Sequence, residues 1–78
     1  MKIYVGNLSY GASEEFVRKL FCRHGDVDEV WIVKSRVGAP HTYGFVHMPD
    51  NTHAEKAIAM LDGVVFEGRA IDVNKARA

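Results

Sequence analysis

The sequence predicts an α+β fold, a four-stranded antiparallel sheet with two helices packed on one face. Three observations predict it. Stretches that alternate apolar and polar residues and stretches with helical apolar spacing follow one another as strand, helix, strand, strand, helix, strand. Both helical stretches open on a capping residue and close on a glycine. In a chain of 78 residues, 47% of them apolar, the length supports one small core. This order is the ferredoxin-like βαββαβ arrangement, whose two right-handed crossovers put both helices on the same side of the sheet.

The first stretch, KIYVGN, sets Ile3 and Val5 against Lys2 and Tyr4 and stops at Gly6–Asn7, so it reads as a strand running into a turn. SEEFVRKLFCRHG reads as a helix capped by Ser13, with Glu14 and Glu15 at its positive end and Gly25 beyond its far end. Val17, Leu20 and Phe21, with His24 at the margin, share its apolar face; Phe16, beside that stripe, and Cys22 are expected to be partly buried. VDEVWIVK is rich in β-branched residues and suits a second strand, with Val30 and Ile32 opposite Trp31 and Val33. SRVGAP is a loop, and TYGFVHM the third strand. PDNTHAEKAIAMLDG is the second helix, capped by Asp50 or Asn51, with a stripe of Ala54, Ala57, Ile58 and Leu61. VVFEGR is a short connection with room for a small hairpin, and AIDVNKA is the last strand, with Ile71 and Val73 opposite Ala70, Asp72 and Asn74.

The alternation sorts the sheet into two faces. Ile3, Val5, Val30, Ile32, Gly44, Val46, Met48, Ile71 and Val73 point at the helices. Lys2, Tyr4, Trp31, Val33, Tyr43, Phe45, His47, Asp72 and Asn74 point at solvent. Four aromatic rings therefore land on the wet side, where a core does not need them.

Ten Lys and Arg residues balance ten Asp and Glu residues. Zero net charge does not suggest a strongly electrostatic partner, but placement matters more than the sum. Lys2, Lys34, Arg36, Lys75 and Arg77 fall on the open face or at its ends. Glu14, Glu15, Asp26, Asp28, Glu29, Asp50, Glu55 and Asp62 are expected behind it, with Asp72 the exception. The single cysteine allows no intramolecular disulfide, and charged or polar residues interrupt every apolar run, so neither a membrane span nor a secretory signal is expected. Residues 1–78 read as one domain, expected to be monomeric and cytoplasmic.

IYVGNL (Ile3 to Leu8) and HTYGFVHM (His41 to Met48) resemble the hexamer and octamer signatures of the RNA-recognition motif, in order and inside the right element pattern. The resemblance covers essentially the whole chain and is nearest the small one-domain bacterial members of that family. It departs from the octamer at His41 for Lys or Arg, Thr42 for Gly and Met48 for Phe or Tyr. The resemblance implies non-catalytic binding of single-stranded RNA in post-transcriptional regulation, with bases stacked on Tyr4 and Phe45 and Tyr43 against the sugars between them. Exposed rings on a rigid sheet offer unstacked bases a flat surface worth roughly 1–3 kcal/mol per base, and single-stranded DNA offers bases of the same kind. Asn7, Asn74 and Lys75 stand as polar readers near the rings, and Lys2, Trp31 and His47 as further contacts. His41, where the family carries a fixed cation, predicts weaker binding that tightens at lower pH. Thr42 is expected to affect only the start of its strand, and Met48 to fill core.

Other readings fit less of the chain. The same rings, or Phe16 on the first helix, could anchor a protein partner. A small ferredoxin-like enzyme of the acylphosphatase type needs an arginine in its first loop, and GNLSYGAS has none. His41 and His47 lie six positions apart along a strand, about 20 Å, and His24 and His53 stand on separate helices, so no metal or other cofactor is expected.

Overall fold

The computed structural model describes residues 1–33 and 42–77. The elements run β1 (Lys2–Leu8), α1 (Glu14–Cys22), β2 (Glu29–Val33), β3 (Thr42–His47), α2 (Asn51–Leu61), β4 (Val65–Phe66), β5 (Arg69–Ala70) and β6 (Asp72–Lys75). β2, β3, β1 and β6 form one antiparallel sheet in that order, and β4 and β5 form the small hairpin between α2 and β6. This is the ferredoxin-like α+β fold.

The alternation holds strand by strand. Ile3, Val5, Val46, Met48, Ile71 and Val73 are buried against Val17 and Phe21 of α1 and Ala54, Ala57 and Leu61 of α2. The small Ala54 and Ala57 let α2 come close to the sheet. Ser13 caps α1 by accepting the Phe16 N–H, and Asp50 caps α2 by accepting the His53 N–H. Gly44, at the centre of β3, permits the close approach of β2. A Cβ there would lie 3.1 Å from Ile32 Cδ1 and closer still to the Trp31 carbonyl oxygen.

β1 continues past the Gly6–Asn7 pair, where a turn was expected. Its register slips between Val5 and Leu8, Asn7 takes a φ of 58°, and Leu8 then pairs with Thr42. The irregularity absorbs the turn signal without ending the strand. Thr42 does more than begin β3: fully buried, its hydroxyl donates to the Ser9 carbonyl at 3.1 Å and ties the β1–α1 loop to β3. β6 begins at Asp72 rather than Ala70, because Ala70 belongs to the hairpin and Ile71 exchanges backbone hydrogen bonds with Gly63 and Val64.

Two helix residues differ from expectation. Cys22 ends α1 on its outer side and is exposed, since Phe21 takes the core position. Phe16 is 53% exposed; it sits one step off the buried stripe, and the Lys19 ammonium lies 6.0 Å from its ring. Each outer strand of the sheet passes an outward N–H to a carboxylate. On β2, Ile32 donates to Glu14 Oε2 at 3.3 Å, and on β6, Val73 donates to Asp62 Oδ1 at 2.9 Å.

Candidate nucleic-acid interface

The open face is a grid set by strand register. Its middle row runs Trp31, Phe45, Tyr4, Asn74 across β2, β3, β1 and β6, because Trp31 pairs with Phe45, Phe45 with Tyr4, and Tyr4 with Asn74. Tyr43 stands two residues before Phe45 on the same face. The rings of Tyr4, Tyr43 and Phe45 form a triangle with 6.0 Å between each pair of centroids. Such tilted and edge-on contacts hold each ring in place while leaving its outer side to solvent. The ring of Tyr4 lies over Gly6, where a Cβ would stand 2.7 Å from Tyr4 Cε2. Gly6 thus lets that ring lie down along the sheet.

Lys2 carries a cation into the aromatic surface, with Nζ 4.4 Å from the Phe45 centroid and 5.9 Å from that of Trp31. At the β6 side, Tyr4, Phe45, Asn74, Lys75, Ala76 and Arg77 line an open groove of about 590 Å³. Lys75 pairs with Ile3, so its backbone belongs to the inward set, yet at the strand end its side chain is exposed and borders this groove.

The structure therefore brings together Tyr4, Tyr43, Phe45, Trp31, Lys2, His47, Asn74 and Lys75. Asn7 is diverted. Its Nδ2 donates to the Ala70 carbonyl at 2.7 Å, and its Oδ1 accepts from Arg69 Nη2 at 2.7 Å, while Arg69 Nε reaches its backbone oxygen. A side chain so engaged holds the hairpin against β1. His41, Lys34 and Arg36 lie outside the described residues. The expectation that Asp28 and Glu29 sit behind the sheet is wrong. Glu29 is the first residue of β2 and pairs with His47 on the open face, and Asp28 Oδ2 lies 3.1 Å from His47 Nδ1. Among the described residues, no group of three or more His, Cys, Asp or Glu side chains could hold a metal ion.

Sequence reasoning passed over Gly6 and Glu29 as parts of this surface, and placed Arg77 only loosely, on the open face or at its ends. Gly6 and Glu29 had a signal, since alternation from Tyr4 and from Trp31 places both on the open face. Arg77 follows the last strand, where periodicity no longer assigns a face.

The family model for the RNA recognition motif matches residues 3–72. RbpE, a candidate RNA-binding protein of Nostoc sp., is 41% identical over 78 residues, which are 99% of this chain and 79% of that one. The chloroplastic RNA-binding protein CP31B of Arabidopsis thaliana is 42% identical over 76 residues, 96% of this chain and 26% of its own length. Among solved structures, that of RNA binding protein PG1 is similar with a TM-score of 0.86 at 36% identity, covering 97% of this chain and 93% of that one.

Proposed function

The chain belongs to the RNA recognition motif family, and from that premise we propose that its open sheet face binds single-stranded RNA without catalysis, one base on Tyr4, its neighbour on Phe45, and Tyr43 against the sugars between. The observation that carries this reading is the 6.0 Å triangle of rings on the face that no helix covers. The spacing suits two bases splayed side by side, and each ring offers a π-face to any base. Trp31 extends the row on one side, and Asn74, Lys75 and Arg77 border it on the other, where polar groups and cations meet base edges and phosphates.

The test is a titration of isotope-labelled protein with short single-stranded RNAs, followed by amide shifts. Shifts concentrated at Tyr4, Tyr43 and Phe45 that disappear in a Tyr4→Ala/Phe45→Ala variant are the expected result. No shifts at millimolar RNA would defeat the reading and favour a protein partner. That second reading has one observation in its favour, the exposed Phe16 on α1, and it predicts that loss of Phe16 rather than of the sheet rings abolishes the interaction. Single-stranded DNA should bind the same rings, because stacking does not use the 2′-hydroxyl. Beside this reading we place a role for the chain as a post-transcriptional regulator that acts as a monomer in the cytoplasm. No helix of the described residues is long and apolar enough to cross a membrane.

A further inference from the structure

Beyond the aromatic row lies a row of polar side chains that stacking does not use. Glu29, His47 and Lys2 stand side by side on β2, β3 and β1, since Glu29 pairs with His47 and His47 with Lys2. The row is two residues from Trp31, Phe45 and Tyr4, about 7 Å along the strands. Glu29 is an exposed carboxylate and only accepts hydrogen bonds. His47 Nδ1 is held at 3.1 Å by Asp28 Oδ2. A carboxylate only accepts, so Nδ1 carries the hydrogen, and Nε2 of the neutral ring is an acceptor. Lys2 only donates. With the His47 ring neutral, the row reads acceptor, acceptor, donor across three strands.

Two carboxylates beside a surface for a polyanion call for a reason. Neither Glu29 nor an acceptor nitrogen can bond a phosphate, but both can take N–H groups from a base. Tyr43 and His47 flank Phe45 on the same strand and face. With the sugar against Tyr43, as in the stacking reading on which this inference rests, the base over Phe45 extends toward His47 and turns its Watson–Crick edge to the row. Cytosine presents one donor beside two acceptors there, uracil one donor between two acceptors, and adenine one donor and one acceptor. Guanine presents an acceptor, O6, beside two donors, N1–H and the N2 amine. It alone gives a hydrogen to both acceptors and an oxygen to Lys2, whose Nζ lies 4.4 Å over the Phe45 ring and moves off it toward the base edge as the base takes its place. We propose that Glu29, His47 and Lys2 select guanine at the base stacked on Phe45.

The test measures fluorescence anisotropy of labelled uridine octamers carrying one guanine, adenine, cytosine or inosine, with the full chain and its His47→Phe and Glu29→Ala variants, each checked by thermal melt. The guanine octamer should bind on the order of tenfold more tightly than uridine alone. Inosine, which lacks the N2 amine, should lose part of that gain. Both variants should bring guanine and uridine to within about two-fold of each other. If all octamers bind the wild type equally, guanine selection is overturned while stacking stands. Guanine preference retained in both variants also overturns it. If no octamer binds at all, the inference and the stacking reading fall together.

Discussion

The two faces of the sheet share one backbone and answer to different demands. On β1, Ile3 and Val5 are 0% and 1% exposed, and the Tyr4 between them is partly open to water. On β3, Val46 is fully buried between Phe45 and His47, which line the open face. The helices cover one side only, so inward residues are chosen by the volume they fill and outward residues by what they present. Because successive side chains alternate, either set can change with little effect on the other. Loss on the covered face should appear as stability, and loss on the open face as affinity.

Four changes would break or sharpen that division. Phe21→Ala, on the covered side, should cost about 3–5 kcal/mol, much of the stability of a small domain, read as the urea midpoint. Phe45→Ala should leave that midpoint nearly in place and weaken RNA binding by about 1–3 kcal/mol, read by anisotropy; a large loss of stability would show that the platform is also core. Asp62→Ala removes the acceptor for the Val73 N–H and should cost about 1 kcal/mol in the same urea experiment with RNA affinity unchanged. The smallest effect concerns the α2 cap. The His53 N–H, followed by the charge of His53 and the Thr52 N–H, holds the Asp50 carboxyl below its ordinary value of 3.8. A depressed pKa means the cap stabilises the fold above the ordinary value and stops doing so as pH falls through the lowered one. Asp50→Asn should lose less of its thermal midpoint than the wild type over that acid range.

Much of this was legible from local pattern. KIYVGN and TYGFVH alternate cleanly enough to assign both faces of the two central strands, and Ser13 and Asp50 announce their helices by position and chemistry. What escaped was sorted by charge rather than by pattern, or depended on distant partners. Asp28 and Glu29 were misplaced because the acidic residues were sorted as a group onto helices and loops, although alternation from Trp31 already puts Glu29 on the open face. The tie of Asn7 to Arg69 and Ala70 escaped because those partners are more than sixty residues away, at separations of 62 and 63. Thr42 looked incidental because its hydrogen bond runs to Ser9, across a separation of 33 residues.

The carboxylates at the two outer strands bear on how copies of this fold meet one another. A naked sheet edge is an invitation to the next molecule, and an extended RNA would line such molecules up at high local density. Here a strand approaching β2 at Ile32 meets Glu14, and one approaching β6 at Val73 meets Asp62; each must be displaced before a new ladder can start. If the proposed function holds, copies brought together on one RNA would therefore stand as neighbours rather than fusing edge to edge into a fibre.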